Sequence, residues 1–164
     1  MIASVVLLGL VTAQRLAELV LTNRNTRRLL ARGAYEASPR HYPLIVLLHA
    51  AWLGGLWLLG WSRPVQFPWL AVFILLQAGR AWVLATLGER WTTRIIVLPG
   101  APLVRRGPYR LIAHPNYLIV AGEMLTLPLA LGLPAYGIVF SLLNAAVLFV
   151  RIRAEKAALR AVRD

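Results

Sequence analysis

The chain has 164 residues, 59% of them hydrophobic, with a mean hydropathy of +0.66 and a formal net charge of +12. Ordinary globular domains are about 45–50% apolar, so this composition calls for lipid as solvent and excludes a typical water-soluble core. Cysteine is absent, which rules out disulfides, thiolate metal sites and a cysteine nucleophile. The three histidines, His41, His49 and His114, are scattered, and no metal site is expected.

In chain order, the first apolar segment is Ile2–Leu21. It lacks a basic leading region and a small-residue cleavage site, so it reads as a retained span and not as a signal peptide. Leu44–Trp61, Pro68–Gly88, Tyr117–Leu133 and Pro134–Val150 follow. Each is long enough to cross about 30 Å of hydrocarbon, which takes roughly 17–25 helical residues. The last two are parted only by Gly132-Leu133-Pro134, a break that predicts a tight helical hairpin. With no flexible linker and no repeat, the expectation is one all-α integral-membrane domain over residues 1–164 with five transmembrane helices.

The basic residues set the expected orientation. Five lie between the first two spans (Arg24, Arg27, Arg28, Arg32, Arg40), five between the third and fourth (Arg90, Arg94, Arg105, Arg106, Arg110) and five in the tail (Arg151, Arg153, Lys156, Arg160, Arg163). Fifteen of the 18 therefore fall on one side of a five-span chain, against Arg63 alone on the other. Basic loops stay in the cytoplasm, which places the N-terminus outside and the C-terminus inside. Lipid orientation thus accounts for the net charge, and nucleic acid is not an expected partner. Trp52, Trp57, Trp61, Trp69 and Trp82 read mostly as interfacial anchors. Trp91, beside the cytoplasmic turn, is left open.

Gly107-Pro108-Tyr109-Arg110 is a turn signal. Pro115 suits the first turn of the next helix, whose unpaired N–H groups favour a carboxylate or phosphate. The plain alternative is a proline-capped start to a membrane helix, with Tyr109 and Tyr117 as belt aromatics. Glu123 falls six residues beyond Tyr117, roughly 9 Å deeper at 1.5 Å per residue. An intramembrane acid is functional by default, or else a partner for a cation such as Arg80 or His49. Gln14, Arg15 and Glu18 share the end of the first span, where Arg15 and Glu18 either neutralise each other or join a site. Arg151 and Glu155 share a face of the last helix. The expected hairpin returns them to the same side as the Gly107–Tyr117 turn. No phosphate-binding glycine loop, zinc-protease motif or nucleophile elbow is present.

Gly-Pro-Tyr-Arg (107–110), His-Pro-Asn-Tyr (114–117), the hydrophobic hairpin and Arg-Ile-Arg-Ala-Glu (151–155) together resemble the isoprenylcysteine carboxyl methyltransferase family. Gln14–Leu19, Arg24-Asn25, and His41-Tyr42-Pro43 with His49 are similar to its small bacterial branch. The resemblance implies an integral-membrane methyltransferase, in a bacterial inner membrane, that uses S-adenosylmethionine in a cytoplasm-facing pocket. A lipophilic substrate would enter from the bilayer. Cofactor contacts carry over to Gly107, Pro108, Tyr109, His114, Pro115, Tyr117, Arg151 and Glu155. The family often has two consecutive acids where this chain has Glu155-Lys156, and a basic residue where it has Ala113.

The residue chemistry agrees with that reading. A sulfonium favours aromatic faces and carboxylates, which Tyr109, Tyr117 and Glu155 offer. Arg110 or Arg151 suits an anionic head or a cofactor carboxylate. A carboxylic acid acceptor needs no base, whereas a phenol or enol benefits from one, and Glu123 and His114 are the candidates. The expected reaction is O-methylation of a lipophilic acid, phenol or enol, such as a polyketide-type lipid or an isoprenoid-linked carboxylate. The alternatives are phospholipid amine N-methylation, a reductase using a nicotinamide phosphate, and a non-catalytic membrane binding protein. The sequence does not rank oligomeric states.

Overall fold

A computed structural model of the chain describes residues 1–37, 39 and 42–160. Arg40, His41 and Arg163 lie outside the described residues. The first helix, α1 (Ile2–Ala31), contains one glycine and no proline, so nothing halts it until Gly33. There the chain turns left-handed (φ 87°), and two bonds close the helix, Gly33 N–H to Leu30 O at 3.0 Å and Ala34 N–H to Leu29 O at 3.1 Å. Only glycine enters that conformation without a steric penalty. Then come β1 (Tyr35–Glu36), α2 (Tyr42–Gly60) and α3 (Phe67–Leu87). A 3-10 turn at Gly88–Arg90, β2 (Ile96–Val97) and a second 3-10 turn at Gly107–Arg110 lead to α4 (Pro115–Ala130) and α5 (Pro134–Arg160). β1 and β2 pair antiparallel, with Tyr35 opposite Val97 and Glu36 opposite Ile96.

Among the described residues four helices, α1, α2, α3 and α5, have the length and hydropathy to cross a membrane. The fifth expected span differs. Helix α4 has 16 residues, about 24 Å at 1.5 Å per residue, because Pro115 opens it and Gly132 (φ 66°) closes the turn after it. It is also the most enclosed helix. Ile119, Glu123, Met124, Thr126, Leu127, Pro128 and Ala130 are all buried, and its main neighbours are α3 and α5. A helix sheathed in protein need not match the thickness of the hydrocarbon. Two helices run ten residues past their expected ends, α1 to Ala31 and α5 to Arg160. Polar residues with good helix propensity, such as the arginines in both extensions, prolong a helix into water as readily as apolar ones prolong it in lipid.

The packing is reversed relative to a soluble bundle. On α1 the buried positions Ser4, Leu8, Val11, Glu18, Thr22, Asn25 and Leu29 follow helical spacing, and most of them are polar. Outward-facing residues are apolar, with Leu58 79% and Leu75 71% exposed. Lipid, not water, suits that exterior. Leu8, Val11, Trp52, Leu56, Phe73, Met124, Leu127 and Leu131 form the apolar core at one end. Gly122 lets α4 approach α3, since a Cβ there would sit 2.8 Å from a Leu76 methyl.

Two sets of contacts mark the two ends of the bundle. At one, Ser4 Oγ donates to Arg63 O at 2.8 Å, and Gln66 N–H donates to Ala130 O at 2.7 Å. At the other, Asn25 Nδ2 donates to Trp91 O at 2.8 Å and to Gly88 O at 3.2 Å. Asn25→Ala takes this donor from both carbonyls; Gly88 O keeps its bond from Trp91 N–H at 3.1 Å, whereas leaving the Trp91 carbonyl unpaired costs about 1–3 kcal/mol. The melting temperature in detergent is expected to fall. Asn25→Asp, which keeps the shape but loses the N–H donors, is expected to fall with it.

Candidate functional site

Three helices bring opposite charges together inside the apolar bundle. Glu123 of α4 accepts from Arg80 Nε at 2.8 Å and Gln77 Nε2 at 2.6 Å through Oε1. Its Oε2 accepts from Arg15 Nη2 at 2.7 Å and from Arg80 Nη2. Glu18 accepts from Arg15 Nη1 at 2.7 Å, Arg80 Nη1 at 3.1 Å and Gln14 Nε2 at 3.0 Å. Gln14 also donates to Gln77 Oε1 at 2.7 Å. Two arginines balance two glutamates, which is how ionised groups persist where water is excluded.

A second cluster forms where α4 begins. The Tyr117 hydroxyl donates to Glu155 Oε2 at 2.6 Å and accepts from Arg151 Nε at 2.9 Å. His114 stacks on Tyr117 with ring centres 5.1 Å apart, and its Nδ1 lies 3.6 Å from Glu155 Oε2. The Arg151 guanidinium sits over the Tyr117 ring, 5.4 Å from its centre. The Gly107–Arg110 turn is seated against the end of α3. Gly107 is left-handed (φ 57°), and a Cβ there would overlap the Thr86 side chain, so only glycine fits. Pro108 is buried, and Tyr109 packs beside Val83, Trp91 and Ile119. Burial, reinforced by the Glu155 carboxylate, pushes the Tyr109 phenol up to about 12. It stays neutral at physiological pH.

Between the two clusters lies a cavity of about 310 Å³, at the lower edge of the range for small-molecule sites. Helices α1 and α2 give Thr12, Arg15, Leu16, His49 and Leu53, and α3 gives Arg80. The α4–α5 wall gives Asn116, Tyr117, Asn144 and Arg151, and the connecting segment gives Trp91 and Thr93. Several polar atoms on its lining residues are buried without a hydrogen-bond partner: Arg15 Nε, Trp91 Nε1, Asn116 Oδ1 and Asn144 Nδ2. Such atoms are costly unless a ligand or water meets them.

Of the residues nominated from sequence, His114, Tyr117, Arg151 and Glu155 are brought together. Tyr117 and Arg151 line the cavity. Gly107, Pro108 and Tyr109 shape the turn behind them, and Pro115 is buried at the helix start. Arg110 is exposed at the end of the turn, outside the cavity lining. Glu123, a candidate base, has both oxygens engaged: they accept four hydrogen bonds from Arg15, Gln77 and Arg80, as many as a carboxylate has lone-pair directions for, which favours the counter-ion alternative. His114 is engaged with Tyr117 and Glu155, outside the cavity lining. Sequence reasoning missed Gln77, Asn116, Asn144 and Thr93. Asn116, inside the His-Pro-Asn-Tyr run, was the most findable. Asn144, a lone amide in an apolar helix, carried a weaker signal of the same kind as Glu123.

The chain belongs to the isoprenylcysteine carboxyl methyltransferase family, whose model matches residues 69–161, from the start of α3 through α5. The likeness of the turn and tail to that family is therefore borne out. An uncharacterized protein of Bacillus subtilis, YpbQ, is 38% identical over 160 residues, covering 94% of this chain and 95% of its own length. An uncharacterized protein of Haemophilus influenzae is 26% identical over 163 residues, covering 91% and 90%. No solved structure matches significantly. Family membership and the four long apolar helices make this an integral membrane protein of a methyltransferase family.

Removing one partner of a buried ion pair costs about 3–5 kcal/mol. Glu123→Gln is therefore expected to lower the unfolding temperature in detergent sharply, and Glu123→Gln with Arg80→Gln to recover part of the loss. A Glu123→Gln protein that melts like the parent but turns over slowly would return the carboxylate to a catalytic role.

Proposed function

We propose that this member of the family uses S-adenosylmethionine to O-methylate a lipophilic acid, phenol or enol drawn from the bilayer. The observation that carries the reading is the cavity itself: apolar over most of its wall, bounded at one end by the Tyr117–Arg151–Glu155 cluster and at the other by Arg15 and His49. A polyketide-type lipid or an isoprenoid-linked carboxylate meets that description, with a tail for the apolar wall and an oxygen for the polar end.

The donor set fits the cofactor. The stacked His114 and Tyr117 rings and the Glu155 carboxylate suit a sulfonium. Arg151 suits a carboxylate. The orphaned Asn116 Oδ1, Asn144 Nδ2 and Trp91 Nε1 suit the acceptors and donors of a purine or an amino-acid head. When bound, S-adenosylmethionine supplies a methyl group on sulfur that an oxygen nucleophile displaces. The protein's part is alignment and exclusion of water, worth much of the barrier in such displacements. Tyr117 is central to it, because its hydroxyl fixes Arg151 and Glu155 relative to each other. Arg80 and Glu123 act one step back by holding Arg15 in place.

With the basic connections facing the cytoplasm, the N-terminus lies outside a bacterial inner membrane and the C-terminus inside. The Tyr117 cluster then opens toward cytoplasmic cofactor. Reporter fusions at the two ends are expected to give opposite signals. Equal signals would separate the α5 end from the Gly107–Arg110 turn and remove the reading.

Calorimetric titration in detergent is expected to show binding of S-adenosylmethionine and of its demethylated product. A charge-assisted hydrogen bond is worth about 1.5–3 kcal/mol, so Glu155→Gln is expected to raise Kd about tenfold or more, with Tyr117→Phe in the same direction. A preference for a reduced nicotinamide phosphate would overturn the assignment in favour of a reductase.

A further inference from the structure

We infer that Arg15 and His49 form a recognition site for an acidic hydroxyl, a phenol or enol, in which His49 Nε2 takes the proton and Arg15 Nε–H holds the oxygen. This rests on the O-methylation reading and narrows its substrate class.

Two observations carry it. His49 Nδ1 lies 2.8 Å from Ile45 O. A carbonyl oxygen only accepts, so Nδ1 bears the hydrogen, and in the neutral ring Nε2 is a bare acceptor. Nε2 has no hydrogen-bond partner among the described residues. A histidine satisfied by its own helix backbone would ordinarily be unremarked core. Here it stands on the wall of the same cavity as a second unmet group, the buried Nε of Arg15. Both terminal nitrogens of Arg15 are held, Nη1 by Glu18 and Nη2 by Glu123, each at 2.7 Å. The guanidinium is clamped from two sides and its Nε–H cannot rotate to find another acceptor.

One fixed donor and one fixed acceptor match a hydroxyl, which gives a hydrogen and accepts one. A methyl ether of the same shape leaves Nε2 unpaired. An alkylammonium sets a cation beside Arg15 and Arg80. An ionised carboxylate meets Arg15 but has no proton for His49. As the hydroxyl is activated, its O–H bond breaks and an Nε2–H bond forms. The new imidazolium keeps its Nδ1–H on Ile45 O, and the oxyanion stays on Arg15 Nε–H. His49 thereby takes the role of base that the saturated Glu123 does not fill.

The test needs no cofactor. Trp52 and Trp91 line the cavity, so quenching of tryptophan emission in the detergent-solubilised full chain reports binding of 4-dodecylphenol, its methyl ether and dodecylamine. The hydrogen-bonded pair is expected to favour the phenol over the ether by about tenfold, and His49→Phe to narrow that ratio to about twofold or less. The ether's affinity and the melting temperature should not change in that variant. His49→Gln, which returns an acceptor oxygen, is expected to restore part of the ratio. The inference is overturned if the parent protein binds phenol and ether equally, if His49→Phe keeps the ratio, or if dodecylamine matches the phenol. S-adenosylmethionine binding is measured alongside. If it binds and the phenol preference is missing, the hydroxyl site alone falls. If the preference holds and the cofactor does not bind, methylation alone falls.

Discussion

Everything in this bundle is arranged around a carboxylate with no free lone pair. Glu123 takes four hydrogen bonds from Arg15, Gln77 and Arg80, and those three residues sit on two other helices. In water such an arrangement adds little, because each group is nearly as well solvated apart. In an apolar medium the unpaired groups cost several kcal/mol each, so the helices have one register that leaves nothing charged and alone. The leucines and valines around them fill space in many ways. The polar network accepts one.

That constraint explains why the polar residues point inward. Ser4, Glu18, Thr22 and Asn25 lie along one stripe of α1, and each ties that helix to another part of the chain. Thr22 accepts from Thr93 N–H at 2.8 Å and shares a 3.1 Å contact with its hydroxyl, which in turn meets the Tyr42 hydroxyl at 3.1 Å. The connecting segment above the cavity is thus fastened by hydroxyls, while Arg94 clasps Glu36 and lies 4.3 Å from the centre of the Tyr42 ring. Among the described residues, most of the unpartnered buried polar atoms, on Arg15, Trp52, Trp91, Asn116 and Asn144, belong to residues around a single cavity.

Much of the architecture was legible before any coordinates. The apolar runs located all five helices, because lipid requires long uninterrupted stretches and proline and glycine mark where they stop. Their ends were less legible. Arg24 to Leu30 looks like a loop by charge and is helix by propensity, and hydropathy does not distinguish the two. The cluster of His114, Tyr117, Arg151 and Glu155 was readable because its residues sit in two compact motifs. Glu123 shows the limit. Its depth announced importance, but whether it holds a proton or an arginine depends on what stands opposite, and that is set by three helices at once. His49 is the converse case. Its helix position was plain, yet only the contact with Ile45 O fixes which ring nitrogen is bare.

The buried charges also impose a sequence in time. A chain made from its N-terminus supplies Arg15 and Glu18 together, already paired one turn apart and neutral as α1 meets lipid. Arg80 then arrives with α3 and finds Glu18 already shared, so the buried charged groups of the first three helices, Arg15, Glu18 and Arg80, carry one uncompensated positive charge. The balancing acid comes 43 residues later, on the short helix that the others enclose. Helix α4 therefore completes the bundle: until its Glu123 is in place the buried Arg80 on α3 lacks its balancing carboxylate, and once it is, the charges close around it.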